Sequence, residues 1–118
     1  MTPRRLFYSG DRIMKRFAFK MKLKPGCKAQ YQQRHDHIWP ELRKLLKDAG
    51  ISEYAIFLDE ETNTLFAVQK QGGQASSQDL GSNEIVQKWW AYMADIMETN
   101  PDSSPVSIPL EEVFYMDS

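Results

Sequence analysis

Between Arg16 and Met116 the apolar residues change their spacing from two to three-and-four and back, twice over, and this succession limits the folds open to the chain. In Phe17-Ala18-Phe19-Lys20-Met21-Lys22-Leu23 the large apolar side chains take every second place, the mark of a strand with one buried face. Lys24-Pro25-Gly26 ends that strand, after which Tyr31, Ile38, Leu42, Leu45, Leu46 and Ala49 recur at helical spacing as far as Gly50. Pro40 lacks a backbone donor and clashes with the turn before it, so the pattern predicts a kink, or a break and restart, around Ile38-Trp39. The alternation returns in ISEYAIFL (51–58), with Tyr54, Ile56 and Leu58 on one side. After Asp59-Glu60-Glu61-Thr62-Asn63, the run TLFAVQ reads as the returning arm of a hairpin. Residues 71–82, QGGQASSQDLGS, hold little apolar content and read as a mobile surface connection. Ser82 can cap a second helix that carries Ile85, Trp89, Met93 and Ile96 and ends near Asn100-Pro101. A proline-punctuated stretch then leads to a final strand over Leu110–Met116.

The order strand, helix, strand, strand, helix, strand predicts an α+β chain of the ferredoxin-like (βαββαβ) type, an antiparallel sheet with two helices on one face. Its other face is left bare. Ala55 and Phe57 fall on that side of their strand, so a partner or a ligand must cover it, and a dimer packed sheet to sheet is expected. With 118 residues the chain has room for one domain, placed at 15–118. Residues 1–14 read as an N-terminal extension, either flexible or an overlong start with Met14 as the alternative beginning.

Composition excludes several classes. No apolar run reaches the roughly 20 residues of a membrane span, and MTPRRLFYSGDRI lacks the apolar core of a secretory signal, so a cytoplasmic location is the default. The single cysteine, Cys27, has no partner for a disulfide or a zinc motif. Residues 1–47 hold 13 Lys/Arg against 3 Asp/Glu, and residues 48–118 hold 2 against 13. A basic half can signal nucleic acid, yet these lysines alternate with apolar residues or flank a helix, and no glycine-aromatic RNA-binding signature accompanies them. Pairing of opposite charges within the fold or a dimer is the better reading, and no nucleic-acid partner is expected. Phosphate loops, nucleophile elbows and dinucleotide fingerprints are missing too.

Reactive side chains are densest in YQQRHDHIWPE (31–41), which holds both histidines. Tyr31 and His35 are four apart, so on a helix a phenol and an imidazole share a face and can enter one cavity. An imidazole titrates near neutrality, which suits His35 to acid-base work; the bland alternative is a packing or surface histidine. A metal at His35 and His37 is disfavoured, because residues two apart on a helix point in different directions. Trp89 and Trp90 sit about 100° apart on a helix, so both cannot fill the centre of one core-facing stripe. Either one covers an edge, or an indole borders a small-molecule pocket, its face on sugar C–H groups and its N–H on a hydroxyl. Tyr54 has the same two readings, core filler or pocket wall.

At these residues the sequence resembles the L-rhamnose mutarotase family. The stretches YQQRHDHIWPEL, YAIFLDEETNTLFAV, QKWWAYMADIM and NPDSSPVSIPLEEVFYM match its pattern in order, over Lys15 to Met116. The resemblance implies a dimeric α/β barrel, no cofactor, and interconversion of the α and β anomers of L-rhamnose. It further implies that His35 is the proton donor and that Tyr31, Tyr54, Trp89 and Trp90 line the sugar site, with no metal. His37, where family members often carry other residues such as proline, is a departure from the pattern. Two other functions compete on residue evidence alone. One is a small metal-free monooxygenase with an aromatic-lined pocket, suggested by the barrel architecture; a monosaccharide-induced shift in tryptophan fluorescence argues against it. The other is a ligand-sensing module, suggested by the charge asymmetry and the bare face, which needs an output domain that 118 residues cannot hold.

Overall fold

Strict alternation over residues 17–23 becomes part of the longest strand of the sheet. The computed structural model describes residues 7–9, 12–73 and 76–117, with side chains from Lys15 onward. In chain order the elements are β1 (Phe7–Ser9), β2 (Arg12–Lys22), α1 (Lys28–Asp36), α2 (Pro40–Asp48), β3 (Ile51–Asp59), β4 (Thr64–Gln71), α3 (Glu84–Met93) and β5 (Ser107–Leu110). Of the extension expected over residues 1–14, residues 1–6, 10 and 11 lie outside the described residues; Phe7–Ser9 pairs antiparallel with Arg12–Met14.

The strand order β5-β2-β4-β3, antiparallel throughout, with helices on one face, is the ferredoxin-like arrangement. Register separates the two faces. Phe19 and Met21 on β2 lie beside Ala67 and Leu65 on β4, all buried under the helices together with Leu42, Val86, Trp89 and Met93. On the opposite face the rungs read Ile108, Lys20, Phe66, Phe57 and Leu110, Ala18, Val68, Ala55, which leaves Phe57 and Ile108 more than half exposed.

The first helix breaks where expected. His37 closes α1, and α2 restarts with Pro40 in its first turn, where a missing N–H costs nothing. Strand β3 contains a bulge between Ser52 and Ala55, with Glu53 at φ 47°. The extra residue resolves a conflict of spacing: Ile51 and Tyr54 are three apart, and only a bulge turns both toward the helices.

Four expectations need correction. Asn83, not Ser82, caps α3, its side chain accepting from the N–H groups of Ile85 and Val86. The helix ends at Met93 rather than near Asn100, tightening into a 3-10 turn over Ala94–Ile96 that drives Ile96 into the core. The last strand is Ser107–Leu110 rather than Leu110–Met116. Beyond Leu110 the described chain leaves the ladder, because β-prone side chains such as Val113 and Phe114 form a strand only where a neighbouring backbone can pair with them. The connection over residues 71–82 is not a loose surface loop. Gln74 and Ala75 lie outside the described residues, but Ser76 and Ser77 are buried and open a 3-10 turn, Ser77–Asp79, closed by a reciprocal Ser76–Asp79 capping box.

Candidate active site

Helices α1 and α3 lie over the sheet so that a cavity of about 830 Å³ opens between them and β3. That volume suits a small organic ligand. Tyr31, His35, Tyr54, Trp89 and Trp90, the five residues singled out by the sequence, all line it, joined by Ser77.

Tyr31 and His35 occupy successive turns of α1, their rings stacked with centroids 4.2 Å apart at 23°. His35 Nδ1 lies 3.1 Å from the Tyr31 carbonyl oxygen. A carbonyl only accepts, so Nδ1 carries the hydrogen and Nε2 is left as the nitrogen at which a proton comes and goes. Burial lowers the imidazole pKa, outweighing the opposite effects of that hydrogen bond and of nearby Asp36. The resting ring is therefore neutral at neutral pH. Both phenols are shifted the other way: Tyr31 by burial and then by the proximity of Tyr54, and Tyr54 by burial against a weaker opposing bond from Ser77. They keep their hydrogens throughout the physiological range.

The Trp89 indole stands edge-on to His35, centroids 5.4 Å apart, and to Trp39, 5.1 Å apart, so that Trp39 and Tyr92 back the pocket tryptophan. Trp89 serves both the core and the cavity; Trp90 is half-buried at the rim. Its indole lies against Gly81, where an added Cβ would come within 2.9 Å of the ring edge. Arg34, the neighbour of His35, reaches across to α3. Its guanidinium donates to both Asp95 carboxylate oxygens, at 2.7 and 3.2 Å, and to the Tyr92 carbonyl, at 2.9 Å. This clamp fixes the spacing of α1 and α3 from which the cavity walls hang.

His37 does not join the site. It is exposed, with Nδ1 3.0 Å from the Gln33 carbonyl at the end of α1. Among the described residues no three of His, Cys, Asp and Glu gather in a way that could hold a metal ion.

Sequence reasoning missed Trp39, Arg34, Gln69 and Ser77. Gln69 left a signal: in TLFAVQ it falls on the same side as Leu65 and Ala67, so it is a polar residue on a buried face. Its amide is fully enclosed and bonded to Ser77 at both ends, donating to Oγ at 3.0 Å and accepting from the backbone N–H at 2.9 Å.

The family model described as L-rhamnose mutarotase matches residues 16–116. An L-rhamnose mutarotase of Formosa agariphila is 69% identical over 104 residues, covering 88% of this chain and 100% of the relative. One from Bacteroides thetaiotaomicron is 67% identical over the same length, with the same coverage. The crystal structure of an L-rhamnose mutarotase from Formosa agariphila superposes with a TM-score of 0.82 at 67% identity, over 87% of this chain and 99% of that one. A putative antibiotic biosynthesis monooxygenase from Caulobacter crescentus, at 16% identity and a TM-score of 0.56, shares the fold alone. The family model over residues 16–116 and these relatives show that the chain belongs to the L-rhamnose mutarotase family.

Proposed function

We propose that this chain interconverts the α and β anomers of L-rhamnose by acid-base chemistry, with His35 as the group that moves the proton. The observation that carries the reading is a neutral imidazole, fixed through Nδ1 in a cavity walled by two tyrosines and two tryptophans, in a chain of this family. Nε2 takes the proton of the anomeric hydroxyl as the C1–O5 bond breaks and O5 gains a proton from a second donor. The aldehyde formed turns about C1–C2. O5 then attacks the other face of C1 and gives up its proton, while His35, now imidazolium, donates to the carbonyl oxygen. No redox change occurs, and both protons are returned. The indole faces of Trp89 and Trp90 suit the C–H groups of the sugar and its C6 methyl, while the phenols of Tyr31 and Tyr54 offer hydrogens to its oxygens.

Saturation-transfer NMR between the two anomeric protons reads the exchange directly. L-rhamnose exchange is expected to accelerate while glucose and galactose do not respond, and His35→Ala is expected to lower the rate at least 100-fold. An unaccelerated rhamnose signal, or near-normal activity in the variant, overturns the assignment.

The reading extends to a homodimer joined sheet to sheet, supported by the apolar rungs of the outer face around Phe57, Phe66, Val68, Ile108 and Leu110. A cytoplasmic setting is part of the same proposal, supported by the unpaired thiol of Cys27. Among the described residues no helix is long and apolar enough to cross a membrane.

A further inference from the structure

The turn that looked loose in the sequence holds a chain of hydrogen bonds whose direction can be read from end to end. The Ser77 backbone N–H can only donate, so the Gln69 atom facing it at 2.9 Å is the amide oxygen. That fixes the flip of the amide and turns its NH2 group to Ser77 Oγ, 3.0 Å away. The Gln78 amide nitrogen lies 3.3 Å from the same oxygen and also donates to it. Ser77 Oγ thus receives amide hydrogens and has one hydrogen to give. Among its described partners the acceptor for it is the Tyr54 hydroxyl oxygen, at 3.3 Å. Tyr54 accepts, and its own hydrogen is left for the cavity that Tyr54 lines. Gln69 is 0% exposed and Ser77 7% exposed, so bulk water has little access to compete for these bonds.

We propose that Ser77, oriented by Gln69, is a positioning residue that makes the Tyr54 hydroxyl a committed hydrogen-bond donor to an oxygen of the bound sugar. This rests on the monosaccharide reading of the cavity. Without Ser77 the phenol is free to turn its hydrogen elsewhere, and the sugar meets a rotor instead of a fixed donor. The contact serves bound sugar and transition state alike, so its loss falls on KM rather than on kcat.

A double-mutant cycle tests this by saturation-transfer NMR on L-rhamnose. Ser77→Ala should raise KM about 5-fold and change kcat less than 2-fold, the size of one hydrogen bond. In a Tyr54→Phe background the same substitution should do nothing further. Where Ser77→Ala does not fold, Ser77→Cys, nearly isosteric with a weak S–H donor, serves the same cycle. Equal KM losses in both backgrounds, or an unchanged KM in the single variant, overturn the positioning role while leaving the mutarotase reading intact. A wild-type protein that leaves rhamnose exchange unaccelerated overturns both.

Discussion

His35, the proposed proton carrier, also bears on the stability of the fold. Its ring is half-buried, and burial disfavours the imidazolium, so the folded protein binds a proton there less readily than the unfolded chain does. By linkage, the contribution to stability is fully present above the unfolded histidine value of about 6.5 and is lost as pH falls from there toward the lowered folded value. The wild-type melting temperature is therefore expected to rise between pH 5 and pH 7, and His35→Gln to flatten that rise. Parallel curves for the two proteins would show that the imidazole is as free to protonate as in the unfolded chain. The paired Asp95, held low by Arg34, titrates below this window and does not confuse it.

Among the elements, most of what builds the site could be read from spacing. The alternation over residues 17–23, the break before Pro40, and the side of β3 that carries Tyr54 all follow from period and proline chemistry. Local signals failed where a distant partner decides. Residues 71–82 look like linker because burial of Ser77 is matched by its bonds to Gln69, a residue of another element. A second such case is the end of α2, where Gly50 sits at φ +89° and an added Cβ would stand 2.6 Å from the Gly73 backbone nitrogen. The sequence shows a helix stop, but not that a second backbone stretch crosses it. Gly50→Ala suffers both the backbone conformation and the collision, and a loss of about 2 kcal/mol is expected by urea denaturation. A loss below about 0.5 kcal/mol would mean that the crossing backbone gives way easily.

For the whole molecule, the opposite charges of the two halves are used in part within one copy. Arg16 meets Glu112, Lys28 meets Glu60 and Arg34 meets Asp95, each a cation of the first half on an acid of the second. Arg16 also lies 3.3 Å beneath the Tyr115 ring, which holds part of the C-terminal tail against the sheet. Apolar surface is not settled in the same way, since Val113, Phe114 and Met116 remain at least 75% exposed near the bare sheet face. Phe66→Glu puts a charge at the centre of that face and is expected to turn a dimer into monomers by sedimentation velocity, with its helical circular dichroism retained. A wild-type protein that sediments as a monomer removes the proposed interface.

The bond from His35 Nδ1 to its own helix has one more consequence. It anchors the imidazole, so the ring has a single port for protons, and the port does not move. In the proposed reaction the two anomers place their C1 hydroxyls in different positions, yet both must reach the same nitrogen. The catalyst is the stator and the sugar the rotor. Turning about one carbon–carbon bond displaces the aldehyde oxygen from that fixed atom, so the open chain must shift to bring it back, and the cavity must be roomier than a tight mould of either closed ring.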